Sequence, residues 1–127
     1  MSIAFWCVLV AGLLPYLGAT IAKAGASRYN NRDPREWLAK QQGWRKRADN
    51  FQANSFEAFP FFAAAVIVAH LAGAEPSRLD SLALIFVAAR LAYLACYLAN
   101  WHLARSVVWM IGLVVTITIF VSGVGAH

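Results

Sequence analysis

Charge is what this chain has little of. Asp, Glu, Lys and Arg make up 13% of its 127 residues, against 61% hydrophobic, whereas soluble domains carry nearer a quarter and a half. The mean hydropathy is +0.57. A soluble globular domain is thereby excluded, and the length allows one domain over 1–127 rather than two. Cysteine is scarce as well, with Cys7 and Cys96 isolated in apolar stretches. Two such residues build neither a disulfide framework nor a metal spacing, so both read as small core or lipid-facing side chains. No Ser/His/Asp set, Gly-rich phosphate loop or metal spacing occurs, and no metal is expected. No basic residue precedes the first apolar run, which points to a retained span rather than a cleaved signal.

The charges that are present sit together. Of 11 Lys and Arg residues, Lys23, Arg28, Arg32, Arg35, Lys40, Arg45, Lys46 and Arg47 occupy one segment between two apolar stretches. The net charge of +5 therefore reads as a topology signal beside a membrane, not as a nucleic-acid surface. The positive-inside rule places the 23–47 loop in the cytoplasm.

Four stretches are long enough to cross a hydrocarbon core of ~30 Å as helices: about 3–22, 50–73, 79–101 and 107–123. Pro15 and its neighbouring glycines predict a kink in the first. Period-two alternation is missing, which argues against a barrel. The expected fold is all-α, an integral membrane four-helix bundle. Pro76 in "GAEPSRLD" predicts a tight turn, with Ser77 as a candidate N-cap. The Asn/Asp/Pro cluster of "YNNRDPREWLAKQQGW" predicts a turn before a short helix.

The spans nonetheless carry polar residues. Arg47, Asn50, Asn54 and Glu57 follow a spacing of three, four and three, so they share a helical face. Arg90, Tyr93 and Tyr97 form a second stripe. An arginine at the bilayer centre costs roughly 2.5–3.5 kcal/mol on insertion scales. Glu57 lies roughly 10 Å and Arg90 roughly 16 Å from the loop side, at ~1.5 Å per residue, and a long arginine stem can snorkel toward that side. Their charged heads are expected to meet, either as a structural ion pair or in a polar pocket with Asn54, Tyr97 and Arg105. His70 reads as a hydrogen-bonded interhelical residue, and His102 and His127 as interfacial or terminal. The five tryptophans, Trp6, Trp37, Trp44, Trp101 and Trp109, suit interface anchoring. Thr116, Thr118 and Ser122 can bond their own helix.

The order "RA…N…E..P", "R..Y...Y" and "RS" across the second, third and fourth spans resembles the MAPEG family, the membrane-associated proteins in eicosanoid and glutathione metabolism. The likeness covers nearly the whole chain, and "EAFPFFAAAV" is similar to the small bacterial members. It implies a homotrimer in a bacterial inner membrane, with glutathione bound between subunits near the cytoplasmic face. It further implies that Asn54, Glu57, Arg90, Tyr93 and Tyr97 contact the tripeptide, with Arg47 and the looser match Lys23 contributing. Arg105 is implied to contact the thiol, with Ser106 beside it. Asn50 stands where well-studied eukaryotic members carry arginine, and Trp109 where they often carry tyrosine.

On that resemblance the protein is a glutathione transferase or peroxidase acting on lipophilic electrophiles dissolved among membrane lipids. Two other classes stay open. A non-catalytic binding or scaffold protein on the same fold lacks thiol-dependent turnover. A small multidrug-type transporter relies on an acidic residue in its first span, and none lies within 1–22.

Overall fold

A computed structural model of the chain describes residues 1–26 and 28–125; His127 lies outside them. Five helices follow in order: α1 (Ile3–Lys23), α2 (Pro34–Ala39), α3 (Gly43–Leu71), α4 (Pro76–Ala99) and α5 (His102–Val121). All but α2 are long and apolar enough to cross a membrane. They run up and down as a bundle. One end holds the basic 28–42 segment, with the C-termini of α1 and α4 and the N-termini of α3 and α5. We call it the basic end.

The helix ends are capped across as well as within elements. Ser2 Oγ accepts from Phe5 N at 3.2 Å, and Asp80 Oδ1 on α4 accepts from Ala4 N at 2.8 Å. One carboxylate thus satisfies a free amide of α1 and ties it to α4. At the basic end, Arg45 Nη1 donates to Ala22 O at 2.9 Å. Arg47 donates to Tyr97 O at 2.8 Å and to Leu98 O at 3.2 Å. Two arginines of α3 therefore close the carbonyl ends of α1 and α4, where a cation also complements the helix dipole. Asn100 ends α4 in the left-handed region at φ 61°, a conformation asparagine tolerates. Asp33 Oδ1 caps α2 through Glu36 N.

The α1–α3 contact is built from small residues. Ala4, Cys7, Ala11, Gly18 and Ala22 are buried on α1, and Ala48, Ser55, Ala65 and Ala69 are among the buried residues of α3. Small side chains let helix backbones approach closely, the usual route to helix association in lipid. At Gly18 an added Cβ would stand 2.8 Å from a Phe51 ring carbon and 3.2 Å from Ala48 O. Phe62 and Phe86 stack at 3.9 Å between ring centres. Leu13, Leu71, Leu103, Val107 and Val114 project outward, which suits a surface facing hydrocarbon.

Several helix limits differ from the expected spans. α3 begins at Gly43 and α5 at His102, because polar helix outside the hydrocarbon carries no hydropathy signal. α1 runs without interruption through Pro15. The tight turn expected at Pro76 is the short 72–75 link, and Pro76 itself opens α4. The N-cap is Glu75, not Ser77, since its carboxylate accepts from Ser77 N at 3.1 Å and Arg78 N at 2.9 Å. Asp33 and the short α2 match the turn-then-helix expectation, and Cys7 and Cys96 are free and buried.

Candidate functional site

Arg90 organises the middle of the bundle. It is 4% exposed, yet no carboxylate faces it as an ion-pair partner among the described residues. Its Nη2 donates to Asn54 Oδ1 at 2.7 Å and to Ser55 Oγ at 3.1 Å. The expected Glu57–Arg90 ion pair is not formed in the protomer. The reason is the direction of the stem. The guanidinium carbon lies 4.5 Å over the Tyr93 ring, one turn toward the basic end, and so reaches Asn54, one turn before Glu57. Glu57 itself is exposed.

Asn54, Glu57 and Arg90 still share one cavity of about 170 Å³ between α3, α4 and α5. Phe61, Phe86, Trp109 and Leu113 supply its apolar wall. With Asn54, Glu57, Arg90 and Thr116 as polar lining beside these rings and aliphatics, the cavity is amphipathic. Trp109 therefore lines the site and does not act only as an interface anchor.

From Arg90 a chain of rings and cations leads to the basic end. Tyr93 and Tyr97 meet edge to face at 5.0 Å, and the Arg105 guanidinium carbon sits 4.4 Å over the Tyr97 ring. Each contact is a cation–π or aromatic pair worth about 0.5–1.5 kcal/mol. Stacking holds Arg105 in place while its guanidinium N–H groups have no acceptor among the described residues. The structure thus brings Asn54, Glu57, Arg90, Tyr93, Tyr97 and Arg105 into one connected strip.

The remaining expected site residues are elsewhere or otherwise engaged. Arg47 donates to the carbonyl end of α4. Lys23 lies over the Tyr29 ring at 4.9 Å, and Asn50 is exposed. Ser106 Oγ donates to His102 O of its own helix at 3.2 Å. His70 packs against Phe5 at 4.9 Å between rings instead of hydrogen bonding between helices. Thr116, Thr118 and Ser122 bond their own helices.

Ser55 escaped sequence reading although its signal was present. It falls on the three-four stripe of Ala48, Phe51, Phe62, Ala65 and Ala69 that α3 buries. A hydroxyl on such a stripe needs a partner, and Arg90 supplies it. Among the described residues no His, Cys, Asp or Glu cluster could hold a metal.

The MAPEG family model matches residues 3–125. No curated protein and no solved structure matches the chain. That match takes in every long helix and the whole strip from Asn54 to Arg105. With four helices long and apolar enough to span a bilayer, this integral membrane chain belongs to the MAPEG family.

Proposed function

We propose that this protein is a membrane glutathione transferase or peroxidase, working as a homotrimer with the 23–47 loop in the cytoplasm of a bacterial cell. The observation that carries the reading is the amphipathic cavity. Its Asn54, Glu57 and Arg90 suit a charged peptide, and its Phe61, Phe86, Trp109 and Leu113 wall suits an apolar electrophile arriving from lipid. Glutathione supplies the nucleophilic thiol.

Arg90 keeps N–H donors beyond those given to Asn54 and Ser55, and these suit a carboxylate of the tripeptide. Glu57 would take its ammonium. A thiol of ordinary pKa, about 8.5, is only a few per cent ionised at neutral pH. The unengaged N–H groups of Arg105 would favour the thiolate, each pKa unit of depression being about 1.36 kcal/mol. Tyr97 positions Arg105 by stacking. Ser106 and Lys23 would enter only by rotating away from their present contacts.

Calorimetry with glutathione in detergent should show saturable binding to the wild type. Arg105→Leu should lose about 10²–10³-fold in turnover with a standard electrophile, the scale of removing one charge-stabilising donor, with Arg105→Lys intermediate. Unchanged turnover in Arg105→Leu at saturating glutathione would sink the assignment. A non-catalytic family member is the second reading, favoured by Asn50 and Trp109 standing where well-studied members carry arginine and often tyrosine. It requires binding without any thiol-dependent turnover.

A further inference from the structure

The resemblance implies a tripeptide contact for Arg47, yet its guanidinium is committed elsewhere. Nε donates to Tyr97 O at 2.8 Å and Nη2 to Leu98 O at 3.2 Å. Two N–H groups of one rigid fork thus hold two successive carbonyls of another helix. Both carbonyls belong to the last turn of α4, where the intrahelical ladder runs out of donors. A lysine, a point charge on a flexible stem, does not reproduce that grip.

The chain beyond that turn leads directly to Arg105. Only Asn100 and Trp101 separate α4 from α5, and Asn100 reverses the chain in the left-handed region at φ 61°. Trp101 gives α5 no side-chain cap. The start of α5 is therefore set by the end of α4 and by packing, not by a cap of its own. Arg105 closes the first turn, its amide donating to Trp101 O at 2.9 Å.

Tyr97 makes a second connection. Its carbonyl is held by Arg47, and its ring lies under the Arg105 guanidinium, 4.4 Å from the guanidinium carbon. Arg47 thus reaches Arg105 along two routes, through the backbone link and through the Tyr97 side chain.

We propose that Arg47 is a positioning residue for Arg105, fixing Tyr97 and the 100–101 link by clamping the carbonyl end of α4. Its consequence for chemistry rests on the glutathione reading above. A cation lowers the pKa of a facing acid by about 1–3 units, but only within ~4–6 Å. A small drift of Arg105 therefore weakens the thiolate while glutathione stays bound.

Two measurements on the full-length protein in detergent test this. Without glutathione, hydrogen exchange read by mass spectrometry should run about tenfold faster over residues 98–106 in Arg47→Met, with the middle of α1 and α3 unchanged. That is the scale of losing one hydrogen bond to a charged group. With glutathione saturating, thiolate absorbance should put the bound thiol pKa of Arg47→Met about one unit above wild type, the low end for one facing cation. Arg47→Lys should resemble Arg47→Met, because charge alone does not hold two carbonyls, and it carries both measurements if Arg47→Met does not fold. In an Arg105→Leu background, Arg47→Met should add no further shift. Unchanged exchange over 98–106 overturns the proposal whether or not glutathione binds. So does weaker glutathione binding with the thiol pKa unmoved, which would make Arg47 a direct contact. A wild-type pKa in Arg47→Lys would assign the effect to charge acting through space and overturn it equally. Wild type without saturable glutathione binding sinks the glutathione reading instead, and the clamp then stands or falls on exchange alone.

Discussion

At the scale of single residues, Arg90 shows how a charge survives inside an apolar bundle. Its partners in the protomer are two neutral acceptors, Asn54 Oδ1 and Ser55 Oγ, and the faces of Tyr93 and Phe51. Hydrogen bonds to charged groups are worth roughly 1.5–3 kcal/mol. Asn54→Leu should therefore lower stability by about that amount, because a buried cation loses its shortest bond. Arg90→Met in the same background should recover part of the loss, since the stranded charge is gone. Glu57→Gln should show no comparable coupling to Arg90. Thermal unfolding of the singles and doubles in detergent checks this, and a larger coupling for Glu57 than for Asn54 would refute the assignment. The polar stripes themselves were legible from spacing. Which members bond to which was not, because that depends on how far an arginine stem bends along its helix.

Helices were the most legible level. Four of them follow from the length of apolar runs alone, yet their ends do not. The first turns of α3 carry Arg45, Lys46 and Arg47, and hydropathy scores these as loop although they continue the helix. Glu75 was overlooked as a cap because a serine stood two residues on. Its carboxylate is exposed, and hydrogen bonds outweigh the small opposing effect of burial. The Ser77 hydroxyl, then the amides of Arg78 and Ser77, hold its pKa below the ordinary glutamate value. A lowered folded pKa means stability that is present at neutral pH and lost as pH falls through that folded value. Wild type should thus unfold at a higher temperature than Glu75→Gln at pH 7, and the difference should vanish in acid. A gap that persists at low pH would assign the cap's value to shape rather than charge. Gly18 supports the other long contact of the fold. Gly18→Ala places a methyl 2.8 Å from Phe51, and such overpacking costs about 1–3 kcal/mol. Gly12→Ala, whose nearest neighbour is the movable Phe59 ring at 3.2 Å, should cost less. Equal losses at the two glycines would show that α1 and α3 can slide apart.

For the whole molecule, the question is what covers Glu57. It lies well inside α3, in the span, and is exposed in the protomer, while Arg90 beside it lacks a counter-charge. An acidic or basic residue facing lipid near the bilayer centre costs roughly 2.5–3.5 kcal/mol on insertion scales. Sealing that face against another copy removes the cost and completes the cavity that Asn54, Glu57 and Arg90 begin. The homotrimer proposed above does this with one repeated interface that closes on itself. Native mass spectrometry in mild detergent should therefore find three chains. Glu57→Leu should keep the helices but change the stability to dilution of the proposed trimer, in which the altered charge would lie between subunits at three sites at once. A monomer retaining full glutathione turnover would show that one chain closes the cavity unaided. A trimer indifferent to Glu57→Leu would mean that the copies meet through another face and that Glu57 is reached by water.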